Sequence, residues 1–227
     1  MQGILLVDKP ADWTSFDVVN YVRKMVAAAE GKKPKNVKVG HTGTLDPFAT
    51  GLLVLLIGKE YTRRAGEFSK LDKTYEVTMK LGEKSTTGDP EGAITPISDT
   101  IPGQEALQEA LQRFQGLIEQ VPPAYSAVKV DGQRAYKLAR AGKEVLIEPR
   151  KVTISRLELV AYTYPDVQLV ADVSSGTYIR TLVEDIGQAL GTGAFTAGLR
   201  RTKVGSFLVD QAQSVKAPDV LDHIILH

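Results

Sequence analysis

GHTGTLDPFATGLLVLLI, residues 40–57, decides how this chain of 227 residues folds. Leu52 to Ile57 is an unbroken apolar run bounded by glycines and reads as a buried segment. On its other side Val37 and Val39 form a short apolar flank. Between the two lies a loop with Gly40, Gly43 and Gly51, His41, several threonines and one carboxylate, Asp46. Pro47 disfavours helical backbone at Asp46, so the acid sits in a loop and not inside a helix. Polar loops fixed to a rigid scaffold are where chemistry concentrates.

Outward from this stretch, Gly3 to Val7 reads as a buried strand. Thr14 with Asp17 three residues on is a helix cap, and Val18, Val19, Val22, Met25 and Val26 follow at helical spacing. Glu30 to Asn36 reads as a basic surface loop. Lys73 to Leu81 alternates Tyr75, Val77, Met79 and Leu81 on one face, a half-buried strand. Gly82 to Pro96 is polar and rich in glycine and threonine, which predicts a mobile loop. Leu107, Ala110, Leu111 and Phe114 predict an amphipathic helix ended by Gly116. Asp131-Gly132 predicts a turn, and Gln133 to Arg140 a short basic helix. Lys151–Tyr162 and Val167–Val173 read as paired strands. Ile179, Leu182, Val183, Ile186 and Leu190 mark a helix face, Arg200–Val209 a strand and Pro218–Leu226 a terminal helix. Strands and helices are interspersed without regular alternation, which favours α+β over a doubly wound parallel fold.

Composition narrows the chemistry. There is no cysteine, so disulfides, thiolate catalysis and cysteine metal sites are excluded, and a reducing, cytoplasmic setting fits. His41, His223 and His227 are too scattered to suggest a metal cluster. No apolar run reaches the ~18 residues of a membrane helix, and the first residues lack the basic start of a signal peptide. The net charge is only +1, but residues 120–156 hold eight bases against three acids, a local charge of +5. Lys32, Lys33, Lys35 and Lys38 add a second basic stretch. Local basic surface is what phosphate contact requires. Phosphate-loop, dinucleotide and HExxH motifs are all missing, so no cofactor is expected.

The loop string resembles the catalytic motif of the TruB family of tRNA pseudouridine synthases. Further similar segments follow in the family's order: GILLVDKPADWTSFDVV at 3–19, KTYEV at 73–77, PPAYSAVKVDG at 122–132, SSGTYIRTLVEDIG at 174–187 and LRRTKVG at 199–205. The resemblance implies the pseudouridine synthase fold, a mixed and largely antiparallel central sheet flanked by helices. It implies one catalytic domain over 1–227, with an RNA-clamping insert at about 122–150 and, since the chain stops at His227, no C-terminal PUA domain. It assigns Asp46 as nucleophile, Arg180 as the cation that pairs with the acid, and Tyr75 as the base-stacking ring. Tyr178 and Leu199 would line the uracil pocket, and His41 and Arg200 would contact RNA. Arg201 and Lys203 are expected to contact phosphates as well, and Lys9 to brace the catalytic loop. The reaction implied is isomerisation of the uridine at position 55 of the tRNA T-loop, by a monomer without an obligate protein partner, metal or membrane. Two alternatives stay open from the residues alone: a synthase acting on another RNA stem-loop, or an RNA-binding or RNA-folding module without turnover. A small-molecule hydrolase built on Asp46 is disfavoured by the basic insert and the lack of a second acid motif.

Overall fold

The buried segment anticipated from residues 52–57 is a strand in the computed structural model, which describes residues 1–126, 128–130 and 132–226. The chain forms two compact units, Met1–Glu76 with Leu199–His227, and Val77–Gly198.

The first unit opens with β1 (Gly3–Lys9), in which every residue but Asp8 is buried. Helix α1 (Ser15–Ala29) follows. Its capping box is reciprocal: the Asp17 amide donates to Thr14 Oγ1 at 3.0 Å, and the Thr14 amide donates to Asp17 Oδ2 at 2.9 Å. After one 3₁₀ turn at Pro34–Asn36 come β2 (Val39–His41) and β3 (Thr50–Ile57). Strand β3 runs antiparallel to β1 from Gly3 opposite Ile57 to Lys9 opposite Gly51, and antiparallel to β2 on its other flank. The unbroken apolar run is explained by two cores. Leu53, Leu55 and Ile57 pack with Leu5 and Val7 against Val18, Val19, Val22 and Val26 of α1. Leu52, Val54 and Leu56 pack with Ile4 and Leu6 against Tyr61 and Phe68, which lie on α2 (Lys59–Arg63) and α3 (Ala65–Ser69). Each such side chain removed from water contributes roughly 1.5–3 kcal/mol, so the strand cannot slip register without exposing one core or the other.

Strand β4 (Lys73–Leu81) begins in the first unit and passes into the second at Val77. Its alternation is as expected, with Lys73, Tyr75, Val77, Met79 and Leu81 on the buried face. The segment expected to be mobile is instead an ordered hairpin of β5 (Glu83–Ser85) and β6 (Ile94–Pro96). Its polar side chains bond one another: Asp89, buried, accepts from Thr87 Oγ1 at 2.5 Å and from the Glu91 amide at 3.0 Å. Helix α4 (Gln104–Arg113) and strand β7 (Gly116–Gln120) follow. Strands β8 (Lys129–Val130) and β9 (Gln133–Arg134) pair across the expected turn, whose Asp131 lies outside the described residues, as does His227. The basic helix α5 starts two residues later than expected, at Ala135–Arg140, because Gln133 and Arg134 are taken by β9. Strands β10 (Arg150–Thr163) and β11 (Asp166–Val173) form the anticipated antiparallel pair, and in this unit the order is β4, β11, β10, β7. Helix α6 (Ile179–Ala189) buries Ile179, Leu182, Val183 and Ile186.

Strand β12 (Ala194–Val204) returns the chain to the first unit at Leu199. There Arg200 pairs with Thr50 and Arg201 with Gly51, parallel to β3. Strands β13 (Phe207–Leu208) and β14 (Gln213–Ser214) pair with β12 and β1. The expected terminal helix is only a 3₁₀ turn, Val220–His223. Ile225 leaves it to exchange backbone bonds of 2.8 and 2.9 Å with Ile4, and that bridge competes with continuing the helix. The sheet is mixed and mostly antiparallel, so the α+β expectation is met.

Candidate active site

In the first unit, residues 42–49 join β2 to β3, and the loop is pinned at its backbone on both sides of Asp46. Ser15 Oγ, buried at the start of α1, accepts from the Leu45 amide at 2.8 Å and donates to the Leu45 carbonyl at 3.1 Å. One residue past the acid, the Pro47 carbonyl accepts from Lys9 Nζ at 3.1 Å and from the Asp12 amide at 2.9 Å. The Asp46 carbonyl itself accepts from the Ala49 amide at 3.1 Å, closing a turn around Pro47. Asp46, on this tied backbone, is half-buried.

Lys9 is fully buried, and its ammonium also donates to the carbonyls of Pro10 and Trp13, at 2.8 and 2.6 Å. It acts as a backbone clamp, in keeping with a bracing role. Arg201 departs from the sequence expectation. It is 2% exposed and so is no surface contact for a phosphate. Its Nε donates to Leu52 O at 2.8 Å and its Nη2 to Gly43 O at 3.0 Å. Arg200, half-buried beside it, forms a two-pronged pair with Asp8 at 3.0 and 2.7 Å. That pair, with burial opposing it, holds the guanidinium above its ordinary pKa.

His41 ends β2 opposite Leu55. Burial first, and the Arg201 charge second, push its imidazole below the ordinary pKa, so it is neutral at pH 7. Its Nδ1 is buried with no hydrogen-bond partner among the described residues. Tyr75 is buried on the inner face of β4, two residues from Lys73, whose ammonium donates to the carbonyls of Ser69 and Leu71. Burial, then repulsion from Arg201, lowers the Lys73 pKa to about 8. Leu199 is half-buried.

In the second unit, Tyr178 and Arg180 sit together where α6 begins. Tyr178 occupies the cap position without a capping side chain of its own. The backbone of that residue is held instead by a distant side-chain amide. Gln120 Oε1 accepts from the Tyr178 amide at 2.8 Å and Gln120 Nε2 donates to the Tyr178 carbonyl at 3.1 Å. The Arg150 guanidinium stacks over the Tyr178 ring at 4.7 Å. Arg180 is buried, and its Nη1 and Nη2 donate to Thr87 O at 2.7 Å and Tyr125 O at 2.9 Å. Asp89 pairs with it at 3.3 Å. A cation in a first helical turn opposes the helix dipole, and these acceptors supply the compensation. One turn on, Glu184 is pushed above the ordinary carboxylate range by burial, with the Arg180 charge pulling the other way.

Asp89, Gln120 and the inward Arg201 were not anticipated as site components. Asp89 had a signal, since Asp89-Pro90 repeats the Asp46-Pro47 pattern within another polar, glycine-bearing stretch. Gln120 had none. Among the described residues no three His, Asp or Glu side chains gather as a metal-ligand set.

The family model described as TruB family pseudouridylate synthase (N terminal domain) matches residues 31–179. The one described as tRNA pseudouridylate synthase B C-terminal domain matches 180–227. The chain is similar to tRNA pseudouridine synthase B of Pseudomonas aeruginosa (strain UCBPP-PA14), 45% identical over 235 residues covering 100% of this chain and 74% of that one. It is similar to the protein of the same name from Burkholderia mallei (strain NCTC 10247), 46% identical with 96% and 70% covered. Among solved structures, a Cbf5-Nop10-Gar1 complex aligns with TM-score 0.70 and 28% identity, over 93% of this chain and 52% of that one. An H/ACA RNP bound to a substrate RNA containing 2'-deoxyuridine aligns with TM-score 0.67 and 25% identity, over 94% and 51%. The chain thus spans about half the length of those solved chains.

Proposed function

Because the chain belongs to the TruB family of pseudouridylate synthases, we propose that it isomerises uridine to pseudouridine at position 55 in the T-loop of tRNA, with Asp46 as nucleophile. The reaction breaks the bond from the ribose to uracil N1 and forms one to C5. The C5 proton is lost, N1 gains one, and no electrons are exchanged with an outside partner. A carboxylate that can attack and then leave, in a pocket holding a flipped base, supplies what this needs. In this reading Arg180 is the cation that favours the ionised acid, and Tyr75 stacks on the base. Tyr178 and Leu199 wall the uracil, and His41 and Arg200 meet the RNA.

The observation that carries the proposal is the double anchoring of the backbone around Asp46, at Leu45 and at Pro47. The same preorganisation gives little to a protein that only binds RNA. The insert at 122–150 fits an RNA clamp: Lys129, Arg134, Lys137 and Arg140 are all exposed on β8, β9 and α5. We place the enzyme in the cytoplasm, acting as a monomer on the T-arm.

The test is incubation with tRNA and with a T-arm stem-loop, read by chemical tagging of pseudouridine and mass spectrometry. Wild type is expected to convert one uridine, that at position 55 of the T-loop. Asp46→Asn is expected to lose more than roughly 10³-fold in rate while binding RNA, because a missing nucleophile has no substitute. An Asp46→Asn protein with near-normal turnover refutes the proposal.

A further inference from the structure

We infer that Arg201 is a positioning residue for the proposed reaction: its one guanidinium fastens together the two ends of the loop that carries Asp46. The inference rests on that reading of Asp46. The atoms involved are Leu52 O, at the end where β3 begins, and Gly43 O, at the end leaving β2. Arg201 reaches both because its own backbone lies beside Gly51 in the parallel register with β3. Gly43 is part of the fit. A Cβ there would stand 3.5 Å from Arg201 Nη1 and 3.9 Å from Lys73 Cε, so cation and loop are in close contact.

A side chain that merely filled this space would be apolar, since burying a guanidinium costs several kcal/mol before its bonds are counted. What the guanidinium adds is a planar fork with donors in fixed directions, able to serve two carbonyls at once. Lysine presents a point charge and loses that directionality. The charge is felt nearby: after burial, repulsion from Arg201 is what depresses the pKa values of His41 and Lys73. Ser15 and Lys9 hold the middle of the loop, and Arg201 closes its base.

The test uses Arg201→Lys and Arg201→Met in the full chain, with Val22→Ala as a comparison. Val22 is buried in α1 and touches none of these bonds. Three quantities are read below the melting temperature: single-turnover rate on T-arm RNA, affinity for that RNA, and deuterium uptake of peptides from 43–51 and from β1. Both Arg201 variants are expected to lose on the order of 10²-fold in rate, the cost of misplacing a reacting group by about an ångström. Affinity should change by less than about threefold, and uptake should rise at 43–51 but not in β1. Val22→Ala should lower the melting temperature and leave rate and loop uptake as in wild type. Arg201 variants within threefold of wild-type rate, unchanged uptake at 43–51, or an equal rate loss in Val22→Ala at the same distance from its melt each overturn the inference. If Arg201→Met does not fold, Arg201→Lys keeps the charge and the stem and carries the same test. Failure of both to fold assigns the residue to folding and overturns the inference too. A wild type without turnover refutes the proposed reaction, and the uptake arm still decides the clip.

Discussion

Substituting Gly51 by alanine tests whether the base of the Asp46 loop is as tightly built as it looks. Gly51 lies between two strands, opposite Lys9 of β1 and Arg201 of β12. Its φ is +101°, a conformation that side chains strain to adopt. A Cβ there would stand 2.3 Å from the Arg201 carbonyl oxygen and 2.7 Å from its nitrogen, both backbone atoms. No rotamer change relieves that overlap, so the strands must part by about an ångström. The dihedral strain is worth about 1–3 kcal/mol, and overpacking of this kind about 1–3 kcal/mol more. A loss of roughly 2–6 kcal/mol corresponds to a melting temperature lower by about 4–24 °C at this chain length. Thermal melts followed by circular dichroism measure the shift, and single-turnover rates taken below the melt show whether the loop moved with it. The rate should fall on the order of 10²-fold, because Asp46 hangs from the displaced segment. Gly66→Ala in α3 is the matched comparison. Its Cβ meets nothing within 4 Å, and alanine in a helix is worth about 0.5–1 kcal/mol over glycine. A Gly51→Ala melt within about 2 °C of wild type would refute the reasoning.

Tyr75→Leu should lower single-turnover efficiency by about 10- to 100-fold, the worth of one base stack, while Tyr75→Phe keeps the stacking plane and isolates any contribution of the hydroxyl. A folded Tyr75→Leu protein with wild-type efficiency removes Tyr75 from the site. Neutralising Lys129, Arg134, Lys137 and Arg140 together should weaken RNA binding and flatten its dependence on salt, since each lost phosphate contact removes about 0.7–0.9 from the log–log slope. An unchanged slope moves the RNA surface elsewhere. Lys73 gives a signed pH effect. With its pKa at about 8 against an ordinary 10.5, both folded and unfolded chains carry the charge below pH 8 and the burial penalty is fully present. Between those values the folded protein has lost a proton that the unfolded chain still holds, so stability rises with pH there. Lys73→Met should remove on the order of 1 kcal/mol of that rise between pH 7.5 and 9.5, read from urea unfolding, and an identical rise in the variant would count against the assignment.

The sequence was most readable where the deciding interactions are local. Thr14 and Asp17 form their box across three residues, and the loop around Asp46 is bracketed by short apolar runs that had to be buried. The β10–β11 pair is visible because alternation and a short turn coincide. The Pro218–Leu226 segment has a helix's apolar spacing, but its strongest bonds run to Ile4 at the other end of the chain. Residues 82–96 read as loose because polar, glycine-rich sequence is usually solvated. In this case Asp89 and Thr87 bond each other and Asp89 pairs with Arg180, a partner nearly a hundred residues away. Arg200 and Arg201 make the same point more sharply. Adjacent in sequence and identical in type, they differ only in what β3 and β1 set in front of them. One meets the Asp8 carboxylate in a half-buried setting, and the other meets the backbone carbonyls of Leu52 and Gly43. A cation is usually a surface residue because it loses water when buried. Carbonyls gathered at the base of a loop reverse that preference, and their position becomes apparent only when the strands are in register.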